Sequence, residues 1–205
     1  MFEHFFWITS RASGWVALLL SSLAVCIGLL VGGRLIKGRP NLRHLHEALS
    51  LATIIALVVH AGSLLGDSFL NPSLADITIP FVSGYQRLWT TIGIVAGWGL
   101  IALGLSYYLR DRIGQRRWRS LHRFTALAWF LGLVHSFGEG TDAGKAWFLV
   151  TTAIVVVPAV VLLAVRHASA PGPGGSMVSA SSSNRSWRTS GSSARRSSSS
   201  SRLAQ

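Results

Sequence analysis

The chain has 205 residues, half of them apolar and only 13% charged, against roughly a quarter charged in an ordinary soluble domain. That composition excludes a water-solvated globule and leaves a bilayer as the natural solvent. The net charge of +12 does not point to nucleic acid, because the basic residues gather in particular loops and in a tail nearly free of aromatics.

In chain order, residues 1–11 read as an extracytoplasmic N-terminus. The stretch Met1-Phe2-Glu3-His4-Phe5-Phe6-Trp7 is aromatic rather than basic, so the apolar run that follows reads as a spanning helix and not as a signal peptide. Charge-free runs cover 12–33, 48–66, 88–109, 124–138 and 146–165, and about 20 residues cross a hydrocarbon core roughly 30 Å thick. Only the fourth is short. It reaches full length if its helix starts near Arg119, with Arg119 and Arg123 extending to the headgroups. The expected fold class is all-α: a bundle of five transmembrane helices over residues 12–166, then a disordered Ser/Arg-rich tail over 167–205. Pro158 is expected to kink the last span, and Trp15, Trp89, Trp118 and Trp147 read as interfacial anchors. Cys26 is the only cysteine, which excludes an intramolecular disulfide and a thiolate metal cluster.

Charge alternates from loop to loop. Arg34, Lys37, Arg39 and Arg43 follow the first span, and Arg110, Arg112, Arg116, Arg117, Arg119 and Arg123 follow the third, offset by Asp111. The other loops carry Asp67, Asp76 and Arg87, and Glu139, Asp142 and Lys145. The positive-inside rule then predicts a multi-pass cell-membrane protein with its N-terminus outside and its C-terminus in the cytoplasm. The tail has five arginines and no acids beyond residue 168; it cannot bury a core, and its arginines suit anionic membrane lipid or a partner. It holds no strand, Gly-rich loop and helix pattern, so no flavin or nicotinamide domain is expected in it.

Histidine inside a span is costly and therefore a functional candidate. Of the seven histidines, His4 and His167 fall outside the spans. His46 and His60 are 14 residues apart on the second span, and His122 and His135 are 13 apart on the fourth, separations of roughly 20 Å along each helix. Those spans run the same way through the membrane, which predicts the pairs His46/His122 near the cytoplasmic face and His60/His135 nearer the outside. An imidazole from each of two facing helices gives a six-coordinate haem iron suited to electron transfer, so two b-type haems are expected. At about 100° per residue, 14 steps leave two side chains roughly 40° apart but 13 leave them roughly 140° apart. The fourth helix must therefore be distorted, and Gly132 is one place for it. His44, roughly 160° from His60 by the same arithmetic, is expected at the interface.

These residues resemble the ferric reductase-like transmembrane domain, the family of NADPH oxidases, ferric reductases and bacterial sulfoxide reductase haem subunits, in which one helix carries two haem histidines 14 apart and another two 13 apart. The run Trp118-Arg119-Ser120-Leu121-His122-Arg123 is similar to the family's basic, Leu-His start of the second of those helices. The resemblance covers about residues 12–166. It implies an iron-linked oxidoreductase component that transports electrons from a cytoplasmic donor, expected to be a separate flavoprotein, to an unidentified external acceptor. Haem propionates need cationic or hydrogen-bonding partners; Arg43, Arg119 and Arg123 flank the cytoplasmic pair, and Arg87 is the candidate on the outer side. Two other readings stay open: a quinol-linked membrane cytochrome, and a haem-free transporter using the histidines for metal or protons.

Overall fold

The computed structural model describes residues 4–32 and 40–168. Among them every regular element is helical: α1 (Phe5–Gly32), α2 (Pro40–Leu64), α3 (Leu74–Thr78), α4 (Arg87–Leu105), α5 (Arg110–Ile113), α6 (Gln115–His122), α7 (Thr125–Gly138) and α8 (Ala146–Ala168). A 3-10 turn, Ser106–Leu109, joins α4 to α5. Among the described residues, four stretches are long and apolar enough to cross a membrane: Phe5–Gly32, Pro40–Leu64, Arg87–Ile113 and Ala146–Arg166. The fourth expected span is not one rod, because a turn at Arg123 and Phe124 divides it into α6 and α7. Gly114, at a φ of 89°, supplies the left-handed backbone that separates α5 from α6.

Two expected boundaries move. The first helix begins at Phe5 rather than residue 12, so the expected N-terminal flank supplies its opening turns, and α8 continues through Pro158 to Ala168. The basic residues Arg34, Lys37 and Arg39 and the tail from 169 onward, expected to be disordered, lie outside the described residues.

The packing is that of helices in lipid. Small and hydroxyl side chains fill the interior: Ser22, Ala159, Ala96 and Thr53 are buried, while Ile154, Ile55 and Leu88 are 66%, 64% and 60% exposed. In hydrocarbon, lipid tails solvate large aliphatic groups as well as a core does, so association depends on close backbone approach. The interior hydroxyls are satisfied locally: Ser21 and Ser22 donate to the Leu18 carbonyl and Thr53 to that of Leu49.

Contacts fix the helix directions. Ser10 meets His60 at one end of the α1–α2 pair and Ala24 meets His46 at the other, so the two are antiparallel. Between α4 and α7, Trp89 meets His135 and Gly99 meets Ala128. The two hairpins join where Trp129 Nε1 donates to Ser22 Oγ at 3.0 Å. α8 runs parallel to α1, with Trp147 against Trp15 and the Val155 carbonyl accepting from Cys26 Sγ.

Candidate functional site

α2 is unbroken from Pro40 to Leu64, so the 14-residue spacing keeps His46 and His60 on one face. The spacing of His122 and His135 is reconciled differently from expectation. α7 runs straight through Gly132; the distortion lies at the α6–α7 turn, where Phe124 N–H donates to Leu121 O at 3.0 Å and Ala126 N–H to Arg123 O at 3.3 Å. Each residue in such a three-residue turn advances about 120° instead of 100°, which closes part of the roughly 140° gap.

The four histidines meet in the expected pairs. Ring centres of His46 and His122 are 6.1 Å apart with planes at 86°, and those of His60 and His135 are 6.4 Å apart with planes at 71°. A metal–imidazole bond of about 2.0–2.1 Å, with about 1.1 Å from nitrogen to ring centre on either side, puts trans imidazoles on one metal about 6.3 Å apart. Both pairs have that spacing.

Three of the four rings are tied down at Nδ1. Nδ1–H donates to a backbone carbonyl on the neighbouring helix in three cases: His46 to Ala24 at 2.9 Å, His60 to Ser10 at 2.8 Å and His135 to Trp89 at 3.0 Å. A carbonyl can only accept, so each Nδ1 carries the proton and Nε2 keeps its lone pair for a metal. Glycine makes the approach possible in the same three cases. A Cβ on Gly14 would come within 2.8 Å of the His60 ring, one on Gly28 within 3.1 Å of His46 and one on Gly93 within 2.6 Å of His135. His122 is held otherwise: it stacks on Trp118 with centres 5.0 Å apart and planes at 24°, Nδ1 lies 3.5 Å from Thr125 Oγ1, and the Leu103 carbonyl is close to the ring.

The donor set fits a haem better than a bare ion. Among the described residues no three His, Cys, Asp or Glu side chains converge as a metal site, and two imidazoles leave a zinc ion short of four ligands. A porphyrin brings its own four nitrogens and lacks only the two axial ones. Beside the His46–His122 pair runs a narrow crevice of about 40 Å³, walled by small residues that include Ser21, Ala24, Ser50 and Gly104.

Arg43, Arg87, Arg119 and Arg123 are exposed, and none pairs with a carboxylate among the described residues. His44 is exposed, as an interfacial residue would be. Three residues escape sequence reasoning. Arg11 forms a bidentate pair with Asp142 and lies over Trp7 at 4.9 Å, which adds a second cation to Lys145 at that carboxylate. Glu139 Oε2 is 3.2 Å from His135 Nδ1. Trp129, 1% exposed, lies between His122 and His135 in sequence and is buried against Ser22 of α1. Burial alone would raise the Asp142 carboxyl, but Lys145 and Arg11 hold it below the ordinary aspartate value. Comparison of the chain with family models, with curated proteins and with solved structures returns no match.

Proposed function

We propose that this chain is a transmembrane electron carrier of the ferric reductase-like type, holding two b-type haems between α2 and the α6–α7 segment. The observation that carries the reading is the doubled geometry: two histidine pairs, each at the ring spacing of two imidazoles on one iron, with three of the four Nδ1 atoms tied to carbonyls. When bound, bis-imidazole haem takes up and releases one electron and offers no open coordination position. His46 and His122 hold the inner group, and His60 and His135 the outer one. The carbonyls of Ala24, Ser10 and Trp89 fix the tautomer and raise ligand basicity. Trp129 and its neighbours exclude water between the two levels.

On this reading α6 and α7 together complete a fifth crossing. α7 alone has 14 residues, about 21 Å, too short for a core of roughly 30 Å; α6 adds the missing turns. The basic residues of α5 and α6 face the cytoplasm and would steer an acidic flavoprotein donor toward His122. Arg43, Arg119, Arg123 and, outside, Arg87 are close enough in sequence to the ligands to reach propionates. The test is vectorial. In proteoliposomes enclosing ferricyanide, an external flavin reductase should reduce the enclosed acceptor only when the protein is present and its α5–α6 side faces out; reduction independent of orientation would overturn the proposed direction.

One observation favours a quinol donor instead. An open groove near the start of α1 is lined by His4, Trp7, Ile8, Asp67, Ser68 and Phe69. Asp67 is 3% exposed and its Oδ2 has no hydrogen-bond partner. Three residues beyond Trp7, Ser10 accepts from His60. Rapid reduction by quinol with no response to flavoprotein would select this second reading.

A further inference from the structure

Among the four ligand imidazoles, His135 alone has a carboxylate against it. Its Nδ1–H donates to the Trp89 carbonyl at 3.0 Å, and Glu139 Oε2 lies 3.2 Å from the same nitrogen, one helical turn away. The carboxylate is held there. Thr90 Oγ1 donates to Glu139 Oε1 at 3.0 Å, and the Glu139 backbone N–H donates to His135 O at 2.9 Å, capping α7. Oε2 is buried and makes no hydrogen bond of its own, and no Lys or Arg pairs with Glu139 among the described residues. Apart from the Thr90 hydroxyl on Oε1, what faces the carboxylate is the His135 ring. The other ligands meet only neutral groups at Nδ1: the carbonyls of Ala24 and Ser10, with the Ser10 hydroxyl, and the Thr125 hydroxyl.

We infer that Glu139 is a positioning and tuning residue that lowers the reduction potential of the outer haem selectively, by placing a buried negative charge against the Nδ1–H of its axial ligand His135. The inference rests on the two-haem reading above. A carboxylate behind a ligating imidazole increases its electron donation, and through a low-dielectric interior the charge stabilises ferric iron, which carries one more positive charge than ferrous. One electron per iron is exchanged and no other bond changes. The inner haem, bound by His46 and His122, lies about 20 Å away along the helices and is unaffected. The consequence is a stronger reductant at the face where electrons leave the protein.

The test is a spectroelectrochemical titration of the purified full-length protein, wild type against Glu139→Gln, with His60→Ala, which keeps only the inner haem, identifying the two midpoints. Glu139→Gln keeps shape and hydrogen bonding but removes the charge. It should move the outer midpoint to more positive potential, leave the inner one in place and retain two haems per chain. An unmoved outer midpoint, or equal movement of both, overturns the inference. Should Glu139→Gln shed the outer haem, Glu139→Asp decides: a retained carboxylate one methylene further back predicts a smaller shift in the same direction, and no shift overturns the proposal. A wild-type protein without haem refutes the two-haem reading itself, an outcome distinct from two haems with an unresponsive outer midpoint.

Discussion

The two histidine pairs share a ligand geometry and differ in almost everything behind it. His60 and His135 each rest on a backbone carbonyl and over a glycine, and the second also faces Glu139. His46 has the same supports in Ala24 and Gly28, but its partner His122 relies on a stacked indole, a hydroxyl at 3.5 Å and the Leu103 carbonyl. Both rings of the outer pair thus rest against a glycine, and of the inner pair His46 does. The electrostatics diverge as well: an acid stands behind the outer pair, whereas Arg116, Arg117, Arg119 and Arg123 neighbour His122 of the inner one in sequence. The lesson is that one chemical unit used twice can be made unequal by neighbours alone. On the proposed reading a lower outer potential would make the internal step less favourable, and the roughly 2.3 kcal/mol per 100 mV that an electron moving outward would gain from an inside-negative membrane potential would offset it.

The harshest way to break the comparison is to remove ligands. His60→Ala and His135→Ala should each eliminate the outer haem completely and leave the inner spectrum intact, and His46→Ala and His122→Ala should do the reverse. If His46→Ala and His60→Ala erase the same haem, the pairing across helices is wrong.

A graded test uses the glycines. Gly93→Ala and Gly14→Ala press a methyl into the rings of His135 and His60, at 2.6 and 2.8 Å, whereas Gly28→Ala meets His46 at 3.1 Å and Gly97→Ala meets nothing within 4 Å. Overpacking of this kind costs about 1–3 kcal/mol. Outer-haem retention during dialysis against apomyoglobin should fall in Gly93→Ala and Gly14→Ala, inner-haem retention should fall less in Gly28→Ala, and Gly97→Ala should match wild type. Uniform losses would mean that the glycines serve helix packing rather than the ligands.

The smallest effect concerns acid. The folded Asp142 carboxyl sits below the ordinary aspartate value because of Lys145 and Arg11, so its stabilisation is complete above the unfolded pKa of about 3.9 and is lost as pH falls through the folded value. An ion pair of this exposure is worth about 0.2–1 kcal/mol. Melting followed at the outer haem should therefore be slightly more acid-sensitive in wild type than in Arg11→Gln, with the inner haem indifferent. Equal acid sensitivity would remove Arg11 from the account of the outer end.

The meeting of the four histidines was legible in the sequence because side-chain spacing survives in an unbroken helix: His46 and His60 needed only the pitch of α2, and their partners only the direction of the spans. The turn at Arg123 and Phe124 was not legible, since neither Gly nor Pro marks it and packing against α4 overrides local preference. Backbone carbonyls as Nδ1 acceptors carry no side-chain signal at all. Arg11 was hidden because a charge near a helix start reads as flank, and only folding brings it to Asp142. One signal was present and unread: Gly14 and Gly28 are 14 residues apart, the same interval as His46 and His60, so the two glycines follow the two rings across the α1–α2 interface.

The central claim is that each facing pair shares one iron. Haem quantification with low-temperature EPR of the purified, oxidised full-length protein tests it most directly: two b-type haems per chain, both low-spin with two imidazole ligands, are the expected result. A colourless protein, or haem in a high-spin five-coordinate form, would contradict it.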